Sequence, residues 1–109
     1  MKNDKFVFLW SQLVELVKLE CEGLNIIREQ PGDLRIETLE GRPFVTIRIQ
    51  RRHVGVYLLP LYYHQHLVTK YIDELRKGKT TLYFTQNTIV DEVEIRNLLQ
   101  NCRTMIGRY

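Results

Sequence analysis

A chain of 109 residues fits one domain, and at 44% hydrophobic and 27% charged it has an ordinary globular composition with enough apolar material for one modest core. The net charge of +3 permits an anionic partner without requiring one. No run approaches the roughly 18 uninterrupted apolar residues that a membrane-spanning helix needs, so that class is excluded.

The opening stretch, MKNDKFVFLWSQLVELVKLE, is basic and then apolar in the manner of a signal peptide. Gln12, Glu15 and Lys18 interrupt the apolar run, however, and no small-residue cleavage site follows. A helix over residues 4–22 is expected instead. Ser11, Glu15, Lys18 and Glu22 recur on one polar stripe, and Phe6, Leu9, Leu13, Leu16 and Val17 fall on the opposite side. Asn3 or Asp4 is placed to cap its start and Gly23 to end it. Trp10 lies at the edge of the apolar stripe, where core packing is its simplest role.

Four strands are expected next. Residues 24–29 and 34–39 flank Gln30-Pro31-Gly32-Asp33, whose Pro and Gly suit the second and third positions of a type II turn. Glu40-Gly41-Arg42-Pro43 turns the chain into 44–49, where Val45, Ile47 and Ile49 alternate with Thr46 and Arg48. A basic turn, Gln50-Arg51-Arg52-His53, leads to 54–59, with Val54, Val56 and Leu58 on one side and Pro60 closing the strand. Short turns between successive strands make this meander antiparallel.

Residues 64–76 are expected to be helical, with Leu67, Val68, Tyr71, Ile72 and Leu75 as the apolar stripe and Gly78 beyond its end. A fifth strand over 80–85 and a polar Gln86-Asn87-Thr88 loop follow. Asp91 with Glu94 three residues later gives a capping-box-like start to a last helix, buried through Ile95, Leu98, Leu99, Cys102 and Ile106. Cys21 and Cys102 lack a CxxC spacing and fall on the buried sides of their helices, as free thiols do. Nothing signals an oxidising compartment, so the cytoplasm is the expected location.

The element order predicts an α+β fold over 1–109 as a single domain. A five-stranded antiparallel sheet is packed on one face by the N- and C-terminal helices. The other face is open and carries Arg35, Glu37, Thr46, Arg48, Tyr57 and Tyr83. A register slip of one residue would reverse that assignment.

The run Gly41-Arg42-Pro43-Phe44, followed by Arg51-Arg52-His53-Val54-Gly55-Val56-Tyr57, resembles the central hairpin of the YdhG-like bacterial proteins. There, a G-K-P-L turn leads through a strand to a K-K-H-hydrophobic-G element. Lys77-Gly78-Lys79-Thr80-Thr81-Leu82-Tyr83-Phe84 is similar to the G-K-G-T-hydrophobic-R-F strand of that family, and a terminal helix follows in both. The resemblance spans most of 41–109. Upstream the chain departs from it, with Pro31-Gly32-Asp33 where the family usually has Tyr-Gly-Met-Pro or Trp-Gly-Met-Pro. The resemblance implies a frataxin-like α+β fold, and through it iron handling becomes an alternative function.

Frataxin-type proteins use an acidic ridge near the first helix, and this chain offers Asp4, Glu15, Glu20 and Glu22 there, interspersed with Lys2, Lys5 and Lys18 in the manner of a solvated face. Asp91, Glu92 and Glu94 sit at a helix start, where acids have a structural reason. His64 and His66 are the sharper metal candidates, but they share a side only in an extended segment and diverge by about 200° in a helix. There is no Ser-His-Asp order with a nucleophile elbow, no HExxH and no glycine-rich phosphate loop. Gly78-Lys79-Thr80 imitates the end of a phosphate-binding loop, yet it lacks the upstream glycine and runs helix to strand rather than strand to helix.

The candidate ligand surface is therefore Arg48, Arg51, Arg52, His53, Tyr57, Lys79 and Tyr83, joined by Lys70, Arg76 and Lys77 if the fifth strand lies beside the hairpin. The expected function is a non-enzymatic cytosolic binding or adaptor protein, without a cofactor, that docks an anionic protein or small ligand on the basic hairpin. Iron delivery is the first alternative. A nucleic-acid-binding module, with Tyr62 and Tyr63 adding stacking surface, is the second, although no recognition motif such as the RNP aromatic pair is present. A second copy covering Leu59, Leu61, Tyr62 and Tyr63 is the third candidate partner.

Overall fold

The computed structural model describes residues 4–109 and, at Asp4, the backbone alone. The cap expected of Asn3 or Asp4 and the charge of Lys2 lie outside what is described. Helix α1, Asp4–Glu20, buries the five apolar residues of its predicted stripe and Val14 beside them. It stops short of Glu22, and Gly23 then turns the chain at φ 91°, a backbone conformation that costs glycine no Cβ clash.

A six-stranded, wholly antiparallel sheet follows: β1 Asn25–Gln30, β2 Asp33–Glu37, β3 Pro43–Ile49, β4 Val54–Leu58, β5 Arg76–Lys77 and β6 Thr81–Phe84, in spatial order β1-β2-β3-β4-β6-β5. The expected five strands are thus six. Gly78 is not the end of a helix but the turn of a hairpin at φ 76°, and the two residues before it pair with β6 as Arg76↔Leu82 and Lys77↔Thr81. So short a strand carries no periodicity for the sequence to show.

The expected helix over 64–76 is broken into two pieces, and a separate short helix precedes them. Pro60 occupies the first turn of a short helix, α2 Pro60–Tyr63, where its missing N–H is no loss. A single 3₁₀ turn spans Gln65–Leu67, and α3 begins only at Lys70–Leu75. Thr69 resets the chain between them. Its backbone is extended, and its hydroxyl accepts a hydrogen bond from Ile72 N at 3.3 Å, the arrangement of an N-cap. The apolar stripe still serves: Ile72 is fully buried, and Leu67, Val68, Tyr71 and Leu75 pack against the core.

Helix α4, Glu92–Thr104, starts as expected, with Asp91 accepting from Glu94 N at 3.1 Å. It runs beside α1 in the same direction. Gln12 donates to Glu92 at one end, and at the other Gln100 donates to the Glu20 carboxylate while Arg103 donates to the Glu20 carbonyl at 2.9 Å. Arg103 also places its charge at the C-terminal end of α1, where the helix dipole favours a cation. Between these helices and the sheet lies the core, whose largest fully buried side chains are Phe44 and Phe84. Trp10 spans from α1 to the sheet and donates its indole N–H to the Ile47 carbonyl at 3.0 Å, so its polar edge is satisfied where it packs.

Candidate functional site

Alternation along the strands sends Leu34, Ile36, Val45, Ile47, Val56, Leu82 and Phe84 to the helices, all buried. The intervening residues stand on the opposite face, as the sequence predicts. Antiparallel register arranges them in two rows across the sheet. Arg35, Thr46, Tyr57 and Thr81 form the first, and Asp33, Arg48, Gly55 and Tyr83 the second. Together with Gln50 and His53 from the hairpin end, they line a depression of about 510 Å³, although Asp33 lies beside it rather than in its wall. That volume falls within the range of small-molecule sites.

One flank is electrostatic. The Asp33 carboxylate takes two hydrogen bonds from Arg35, at 3.1 and 3.2 Å, and stands 3.7 Å from Arg28 Nη1 and 4.0 Å from Arg48 Nε. Three guanidinium groups therefore share one carboxylate, whose side chain is 16% exposed. Paired and partly sheltered, Asp33 fixes the arginines in place without cancelling their charge, which leaves an excess of positive charge for an incoming anion.

The other flank is aromatic. His53 and Tyr83 stack with ring centroids 3.8 Å apart and planes 7° from parallel. The imidazole lies over Gly55 on β4: a Cβ there would stand in ordinary contact with the ring, 3.5 Å from His53 Nε2 and 3.7 Å from Cδ2. Desolvation in this setting holds the His53 pKa below its ordinary 6.5, and the ring is neutral at physiological pH.

Of the seven candidate residues, Arg48, His53, Tyr57 and Tyr83 come together around this depression. Arg51 and Arg52 project exposed from the β3–β4 turn at its rim. Lys79 does not join them. Pairing Tyr57 with Thr81 and Val54 with Phe84 puts the β5–β6 turn at the opposite end of β4, and there Lys79 stands 5.2 Å from the centre of the Tyr62 ring. Nor does Arg76, which donates to Asp73 and Gln65, while Lys70 lies exposed on α3. Gln50, Gly55 and Thr81 were not singled out from the sequence. The signal for Gly55 was present, since a glycine in the middle of a strand marks a place where something approaches the backbone closely.

The other candidates disperse. His64 and His66 meet edge to face with centroids 5.8 Å apart, and the His64 Nε2 lies 3.0 Å from the Arg108 carbonyl. Among the described residues no group of three or more His, Cys, Asp or Glu side chains is placed to hold a metal ion. Leu61 is fully buried, which removes it from the expected exposed patch, whereas Tyr62 and Tyr63 are about half exposed at 53% and 52%. Burial pushes the Cys21 and Cys102 thiols up to about 12, so both are protonated and inert.

The class defined by this architecture is an α+β domain in which helices cover one face of an antiparallel sheet and leave the other free. Among known structures it is similar to the crystal structure of YdhG, a DUF1801-family protein of Bacillus subtilis. The TM-score is 0.61, the identity 8%, and the match covers 89% of this chain and 75% of that one. The YdhG-like resemblance seen in the sequence is thereby met at the level of fold. No protein-family model matches the sequence, and no curated protein does. Among the described residues no helix is long and apolar enough to cross a membrane.

Proposed function

We propose that the protein is a non-enzymatic binding protein of the cytoplasm, and that it takes a small anionic ligand into the depression on its open sheet face. The observation that carries this reading is the trio Arg28, Arg35 and Arg48 gathered on the single carboxylate of Asp33 beside a concave surface. Arginines held by a buffered carboxylate keep their forks oriented, so less rotamer freedom is lost when an anion arrives. The two buried, free thiols accord with a reducing compartment. The exposed Arg51 and Arg52 extend the positive field toward the same end of the sheet and would speed the approach of an anion.

The test is titration with inorganic phosphate, followed by amide chemical shifts. Perturbations are expected at Arg48, Gly55 and Tyr57, weakening as salt rises. Arg48→Gln should lower affinity at least tenfold, since a hydrogen bond to a charged group contributes about 1.5–3 kcal/mol. Lys79→Ala, at the far end of the sheet, should leave affinity unchanged. Unaltered binding by Arg48→Gln would overturn the assignment of the site.

A further inference from the structure

The depression is built asymmetrically, and the asymmetry specifies more than charge. On the second row across the sheet, Gly55 stands between Arg48 on β3 and Tyr83 on β6. Two strand spacings separate those neighbours, roughly 10 Å. The His53 imidazole occupies part of that gap, lying over Gly55 and stacked on Tyr83. Tyr83 covers one face of the imidazole, and the row order places Arg48 on the other side of Gly55. The partly exposed ring therefore shares the depression with an arginine fork that already shares its carboxylate with two others.

From this geometry we infer that the ligand is a small planar aromatic anion, whose ring continues the Tyr83–His53 stack while its anionic group reaches Arg48 and Arg35. A ring-free anion would engage the arginines and leave the imidazole face to water. The inference rests on the anion-binding reading above and adds the ring to it. Aromatic stacking in a partly desolvated site favours an offset or parallel partner, and guanidinium groups pack well against the edge or face of such a ring. Gly55 brings no side chain of its own to the floor beneath the imidazole, where a side chain longer than a methyl would compete with the ring for space.

The experiment compares phenyl phosphate with methyl phosphate, which share the anion and differ in the ring. The titrations are followed by amide and His53 ring chemical shifts on the intact chain. Phenyl phosphate is expected to bind about tenfold more tightly, and its ring current to shift the Gly55 amide and the His53 ring protons. His53→Ala should abolish the ring preference, bringing the phenyl and methyl phosphate affinities to the same value. Equal affinities for both probes in the wild-type protein would overturn the aromatic inference and leave the anion site standing. Binding of neither would overturn both. A ring preference that survives His53→Ala would also sink the inference, because the stack would then lie elsewhere.

Discussion

The two faces of one sheet, made by the same strands, show how a small domain divides its labour. Toward the helices, β2 presents Leu34 and Ile36, β3 presents Val45 and Ile47, and β6 presents Leu82 and Phe84, all excluded from water. One residue along each strand, the opposite face carries Arg35, Thr46, Arg48, Tyr57, Thr81 and Tyr83 around a concave floor. The covered face supplies the burial that stabilises the fold. The open face is relieved of that task and can hold charge, hydroxyls and a bare glycine where a folding core would not tolerate them. Stability and binding should therefore separate along the strand with a period of two.

The strongest way to break this division is at Phe84. Phe84→Ala empties part of the core and should cost about 3–5 kcal/mol in chemical denaturation, with any loss of binding following from unfolding alone. A smaller and more local effect is expected at the cap of α3. Thr69→Ala removes the acceptor for Ile72 N and should cost about 1 kcal/mol, with no change at the open face. Arg48→Gln sharpens the comparison from the other side. Melting should move by no more than about 0.5 kcal/mol while anion binding collapses, and a large stability loss would show that the open face carries the fold as well. The smallest effect is one of pH. Desolvation depresses the His53 pKa in the folded protein, so the unfolded chain binds the proton more readily and stability is lost as pH falls from 6.5 through the folded value. Denaturation midpoints measured between pH 7.5 and 5 should show a shallow decline that His53→Gln flattens.

Much of this division was legible in the sequence because alternation along β2, β3 and β4 is a strong signal, and it named Arg35, Thr46, Arg48, Tyr57 and Tyr83 as open-face residues. The join between Pro60 and Thr81 was not legible. There the apolar spacing from Leu67 to Leu75 suits one continuous helix, and local hydrogen bonding overrode it: the hydroxyl of Thr69 capped a new helix, and Gly78 made a hairpin of what resembled a helix end. The candidate site suffered from the same gap. Lys79 joins the arginines in the sequence reading through the expectation that its strand lies beside the hairpin; the strand does lie there, yet only the antiparallel register reveals that the two turns sit at opposite ends of β4. The carboxylate that organises the arginines is hidden in the sequence for a different reason: Asp33 follows Pro31-Gly32 in a turn, where an aspartate already has a local role.

The outer strand β1 has a consequence of another kind. All six of its residues are exposed, Ile26 and Ile27 among them, and among the described residues it pairs only with β2. An uncovered border of this sort would ordinarily template a foreign strand and seed aggregates. Here the register slips between Ile26 and Arg28, and Arg28 and Glu29 follow at once with charges bound to Asp33 and Lys18. An irregular, charged margin makes a poor template, while the border at β5 is only two residues long. The protein thus guards the two margins of its sheet by different means, distortion on one side and brevity on the other, and both spare the face between them from being buried by its own kind.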